Sequence, residues 1–231
     1  MSIQRAAKAV MDFLVRAYTD FASAFQAFSL VLIASSLLFV LTSFDPSLYD
    51  LLSASRKTPW GVVTSIFVHY NLLHITGNIV LLFAFLLLFT ELHKNVLSSQ
   101  KHKGSFFFAW NIFLSGILAN ILFILISSGS AAGASGVVFA SEGVTMGFAL
   151  QLAFPPKLNW DAIRKHFLDK ETRRASVGGL AIFSILFVFL LAFPKDFLAA
   201  APGVNVFVHF AGFYISFASV VIYWVAGRLR Y

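Results

Sequence analysis

One serine, three histidines and one asparagine stand where the rest of this chain is apolar. His69, His74 and Asn78 lie close together in sequence. Ser135 ends a run of nothing but Ser, Gly and Ala, and His209 lies near the start of the last apolar stretch. A hydroxyl beside an imidazole is a minimal pair for nucleophilic catalysis: the ring takes the proton and the oxygen attacks an acyl carbon. The run from Ser127 to Gly136 interrupts helix and lets backbone approach backbone, and Ser135 opens the next helix. Free N–H groups and the positive end of the helix dipole favour developing negative charge there. Alone, a Gly-x-Ser-Gly loop is a weak signal, because these residues also make plain tight turns. The histidines elsewhere give it chemistry.

The elements that must position these groups follow from composition. The chain is 59% hydrophobic and 12% charged, with 28 phenylalanines and a mean hydropathy of +0.84. A soluble domain has about half its residues apolar and about a quarter charged. The fold class expected is an all-α integral membrane protein. Residues 1–25 mix Arg5, Lys8, Arg16, Asp12 and Asp20 with apolar residues at helical spacing, which suits a helix on the membrane surface. Six spans are expected, at 26–44, 68–89, 105–126, 135–154, 175–193 and 206–226. Each is about 28–33 Å long as a helix, enough for a hydrocarbon core. Pro155-Pro156 ends the fourth. No cysteine is present, so disulfides and thiol chemistry are excluded.

Charge distribution gives an orientation. With six spans, fourteen of the seventeen Lys and Arg residues fall on the side of the two termini; only Arg56, Lys57 and Lys195 fall on the other. The bias puts both termini in the cytoplasm. It also accounts for the net charge of +7 without any nucleic-acid partner. Spans two, four and six then run from outside to inside, so His69, His74, Asn78, Ser135 and His209 share a depth near the outer face. Polar groups at such depth are expensive and mostly functional.

Spacing within the elements agrees. His74 and Asn78 are i and i+4 and share a helix face, whereas His69, five residues before His74, would lie about 140° round the same helix and reads as structural. Gly136, Ala140, Gly143 and Gly147 form a small-residue stripe in the fourth span, and Gly212 and Ser216 another in the sixth. Such stripes let membrane helices pack closely. If the two face each other, Ser135 and His209 meet at their outer ends.

Three patterns, His69-x4-His74-x3-Asn78, Gly133-Ala134-Ser135-Gly136 and His209-x2-Gly212-x3-Ser216, occur in that order. Together they resemble the rhomboid intramembrane serine proteases, over roughly residues 60–217. Trp60 resembles the tryptophan of that family's first outer loop, and Glu91 its acidic residue at the inner end of span two. The resemblance implies a six-transmembrane-helix rhomboid-like bundle at 26–226 with a short cytoplasmic tail at 227–231. It implies a Ser135–His209 dyad, oxyanion stabilisation by Asn78 and His74 with the Ser135 N–H, and Gly133 in the active-site loop. It implies no cofactor or metal. Its partners would be transmembrane protein substrates and membrane lipid, with the site facing outward from the plasma membrane. The loop 194–205 would cap the site. Three positions depart from the family pattern: Gly61 stands where an arginine often follows the tryptophan, Phe139 where tyrosine is frequent, and Ser216 replaces the second glycine of the last motif. Glu142 has no assigned place and reads as a buried structural carboxyl, since it lies about 10 Å below Ser135. The alternative to a protease is a silent rhomboid-like protein that holds transmembrane clients. A metal or haem site is disfavoured because no two histidines have i, i+4 spacing.

Overall fold

The computed structural model describes residues 18–96, 101–153, 168–192 and 205–228, together with residues 8, 11, 12, 14 and 15. The first long helix is α1 (Ala22–Phe44); two short ones follow, α2 (Ser47–Leu52) and α3 (Gly61–Thr64), and α3 runs into a 3-10 turn at Ser65–Phe67. The other long helices are α4 (Leu72–Val96), α5 (Lys101–Ile126), α6 (Ser135–Ala153), α7 (Lys170–Ala192) and α8 (Val206–Arg228). The described chain is all helical apart from one isolated antiparallel bridge, Ala54 to Ala131.

Among the described residues, five helices are long and apolar enough to cross a membrane: α1, α4, α5, α6 and α8. Helix α7 occupies the region of the expected fifth span; its apolar stretch in the described residues is shorter, Ser176–Ile185. Large apolar side chains such as Ile33, Leu73, Trp110, Leu125, Ile185 and Ile222 are exposed on the bundle surface. Contiguous apolar surface of this kind is stable only against lipid or another protein. The expected surface helix falls largely outside the described residues. So do residues 157–167 of the charged stretch 157–174 and, except for Asn205, the expected cap loop 194–205.

Helix α6 is the axis of the bundle. Every residue from Ser135 to Ala149 is buried, and α4, α5, α7 and α8 all pack against it. It is also the least apolar of the five candidate spans. A helix shielded on all sides by protein has no need of bulky lipid-facing residues, and small ones let its neighbours come close. The α6–α8 contact shows this directly. A Cβ at Gly143 would stand 2.4 Å from the Phe213 carbonyl oxygen, and one at Gly147 would stand 2.7 Å from Val220. Ser216 Oγ donates to the Ala140 carbonyl across the same seam, 2.6 Å. A polar ladder continues it into α5: Ser219 Oγ donates to the Ser216 carbonyl, Asn111 bonds to Ser219, and Ser115 bonds to Asn111.

The same contacts fix helix direction. Going down α6, Gly136 meets Val208, Gly143 meets Phe213 and Gly147 meets Val220, so α6 and α8 run parallel. Gly133 meets His74 before α6, and Phe148 meets Phe89 further along, so α4 runs the same way. The polar ends of α4, α6 and α8 therefore gather at one end of the bundle. On the side away from α8, α1 packs on α4 and α5, and the Ala24 N–H donates to Ser105 Oγ, 2.9 Å.

Candidate active site

The loop before Ser135 is held by main-chain bonds to the segment 45–71. Ala54 and Ala131 exchange two hydrogen bonds of 2.8 and 2.9 Å, and the Gly133 N–H donates to the Ser65 carbonyl, 2.8 Å. Gly133 is the only residue among those described with a positive φ, +115°, a conformation that L side chains rarely adopt. A Cβ there would also stand 2.7 Å from His74 Cε1. Backbone conformation and the adjacent ring both require glycine.

His69 differs from the sequence expectation. Helix α4 starts at Leu72, not at 68, because the Asn71 side chain accepts the His74 N–H, 2.8 Å, and caps the helix. His69 thus lies in the turn before the helix, and the 140° separation expected on one helix does not apply. Its ring meets that of His74 edge to face, centroids 5.3 Å apart. Its Nε2 receives two donors, Asn78 Nδ2 at 3.1 Å and the Ala134 N–H at 3.2 Å. A ring nitrogen that accepts carries no proton, so the proton sits on Nδ1, which faces the Phe67 carbonyl at 3.3 Å. Burial, and next the neighbouring His74, push the pKa of His69 down to about 4, against the pull of the Phe67 carbonyl. A neutral His69 therefore ties the amide of Asn78 to the residue just before Ser135.

On the other side of Ser135, α8 is in direct contact. A Cβ at Gly136 would stand 2.9 Å from Val208, and one at Gly212 would stand 2.4 Å from the Gly136 carbonyl oxygen. The residue after Ser135 is thus wedged between the residue before His209 and the residue three after it. Phe139, one turn along α6, stacks on the His209 ring with centroids 4.4 Å apart. Ser135 is 8% exposed and His209 3%. No helix intervenes between their elements. Asn205 caps α8, its side-chain oxygen accepting from Phe207 N at 3.1 Å, and so sets the turn that carries His209.

Several positioning residues have no signature in spacing. Asn120 of α5 donates to the Val62 carbonyl and bonds Ser65 Oγ, holding the segment that holds the Ser135 loop. The Arg56 guanidinium donates to the carbonyls of Ile124 and Leu125 at the end of α5, 3.0 and 2.9 Å, where a helix leaves carbonyls unpaired. The Trp60 indole N–H donates to the Leu51 carbonyl. Gly61, where an arginine is frequent in the family pattern, lies against the Ser53 carbonyl, and a Cβ would stand 2.2 Å from it.

Residues 56–226 match the family described as the rhomboid domain. The chain belongs to the rhomboid family. Comparison with individually curated proteins returned no match. Rhomboids are intramembrane serine proteases, and the matched residues take in α3 to α7, nearly all of α8, and His69, His74, Asn78, Ser135 and His209. Helix α1 lies before the rhomboid domain and packs on its α4–α5 side.

Proposed function

We propose that this rhomboid is an intramembrane serine endopeptidase that cuts transmembrane segments of other proteins near the outer face of the plasma membrane. In this reading α7 is the sixth membrane-crossing helix, and both termini lie in the cytoplasm, as the Lys and Arg bias suggests. Ser135 is the nucleophile and His209 the general base.

The chemistry takes two halves. His209 accepts the Ser135 hydroxyl proton as Oγ attacks the scissile carbonyl carbon; the resulting imidazolium then protonates the leaving amine as the C–N bond breaks. Water next attacks the acyl ester, again giving its proton to His209, and Ser135 recovers that proton as the new carboxyl product leaves. Each tetrahedral intermediate carries an oxyanion. The donors for it are the second amide N–H of Asn78, whose first is committed to His69, with His74 and the Ser135 N–H. No carboxylate orients His209 in this scheme; the stacked Phe139 ring does so.

The observation that carries the reading is the direct α6–α8 contact at Gly136, Val208 and Gly212, with His209 stacked on Phe139. The test is cleavage of a reporter transmembrane segment in proteoliposomes by the wild type, Ser135→Ala and His209→Ala. Cleavage lost in both variants is the expected result. Equal cleavage by all three proteins would overturn the assignment.

A further inference from the structure

Glu142 is fully buried, and neither carboxyl oxygen has a hydrogen-bond partner among the described residues. Such a group is costly: burying a polar atom without a partner is unfavourable by about 1–3 kcal/mol in proteins. A chain with 28 phenylalanines has apolar residues to spare for this position. Carboxyls kept at membrane depth mark places where something polar must be met.

Its place on α6 says what that is. Seven residues on from Ser135, Glu142 lies about 20° round the helix from it, so Ser135, Phe139, Glu142 and Met146 form one face. Side chains on a helix lean toward its N-terminus, which here is the Ser135 end. Helix α7 is fastened to α6 beside this face, lower down. Ser176 Oγ donates to the Leu152 carbonyl at 3.2 Å, and a Cβ at Gly179 would stand 2.7 Å from the Ala149 carbonyl oxygen. Glu142 lies between those fastenings and the nucleophile. Above it Phe139 stacks on His209, and Phe139 and Met146, which flank it on this face, form an apolar cluster with Phe213 and, at its edge, Phe183 and Phe217.

We propose that Glu142 is a specificity-determining residue that receives a hydrogen-bond-donating side chain of the substrate. The inference rests on the protease reading above. An extended peptide advances about 3.3 Å per residue, and Glu142 is about 10 Å along the axis from Ser135. The side chain it meets is therefore two or three residues from the scissile bond, on the side that continues down α6. A carboxylate accepts at both oxygens, and a neutral carboxyl still accepts at its carbonyl oxygen; hydroxyl, amide and ammonium donors all qualify. An apolar side chain at that position leaves the carboxyl without a partner and is selected against.

The experiment compares matched reporter segments in proteoliposomes that differ at one residue, carrying Leu, Ser, Asn or Lys two or three positions from the cut. The wild type should give a kcat/KM for the donor-bearing segments about 10-fold or more above that for Leu. In Glu142→Met this ratio should fall to about one. In Glu142→Gln, which keeps the shape and one acceptor, the preference for Ser and Asn should persist and that for Lys should drop. A carboxyl with a merely structural role would lower turnover of every segment in the same proportion, and unchanged ratios in both variants would overturn the proposal. So would a wild type indifferent to the residue. A wild type that cuts none of the segments sinks the protease reading and this one with it; cutting without a Glu142-dependent ratio sinks this one alone.

Discussion

The ring of Phe139 lies nearly flat on the imidazole of His209, the centroids 4.4 Å apart and the planes 13° from parallel. A histidine in the proposed dyad needs one orientation among many, and an aromatic face one turn below Ser135 selects it. Stacked aromatic pairs contribute about 0.5–1.5 kcal/mol beyond their buried area. The larger effect is on geometry, because small misplacement of a catalytic group costs rate steeply. Phe139→Ala should lower kcat by about 10- to 100-fold with a smaller change in KM. Phe139→Tyr should keep the stack and most of the turnover. Equal kcat in Phe139→Ala and wild type, measured on a reporter segment, would deny the stack any part in catalysis.

Gly133 allows a sharper substitution. Gly133→Ala forces a side chain into a positive-φ position and against the His74 ring. Strain of this kind costs about 1–3 kcal/mol, and it falls on the residue two before Ser135. A lowered Tm together with loss of labelling at Ser135 by a serine-directed covalent inhibitor is the expected result. Full labelling at wild-type rate would show that the loop absorbs the methyl group.

His69 predicts a pH dependence of stability. Its folded pKa is about 4, below its ordinary value of 6.5, so between those values the unfolded chain binds more protons than the folded one. The contribution of the neutral ring is whole above about pH 6.5, declines as the pH falls through that window, and is gone near pH 4. Protonation at Nε2 also removes the acceptor for Asn78 and Ala134. Thermal melts in detergent should show the wild-type Tm falling on acidification more steeply than that of His69→Gln, which has no such titration. Parallel curves would refute this account of the ring.

Two glycines separate packing from propensity. Gly143→Ala puts a methyl group 2.4 Å from a main-chain oxygen of α8, where nothing can move cheaply, whereas a Cβ at Gly77 meets nothing within 4 Å. The first should destabilise by about 1–3 kcal/mol through overpacking. The second should be neutral or stabilising by up to about 1 kcal/mol, since alanine is the better helix former. Reversed signs in a steric-trapping or denaturant titration would mean that α6 and α8 are not packed as described.

The parts of this site that were legible in sequence are those that membrane burial enforces. Ser135, His209 and Asn78 stand out because polar groups are rare in apolar spans, and the stripes at Gly143 and Ser216 because only small residues permit a close seam. The start of α4 was misplaced by four residues, since hydropathy does not distinguish a buried turn from a helix and the Asn71 cap is a single side chain. Contacts made far along the chain left no trace. Arg56 reaches the end of α5, Asn120 the 3-10 turn, and Asn111 the middle of α8, across 55 to 108 residues. No periodicity encodes a partner at that separation.

The Ser135 loop and the segment 45–71 are joined by three main-chain bonds, at Ala54, Ala131 and Ser65. Bonds of that kind have no rotamers to yield, so displacement passes through them undiminished. A change in bilayer thickness or a protein that grips residues 45–71 thereby acts as a lever on Ser135 itself, with no need to touch it.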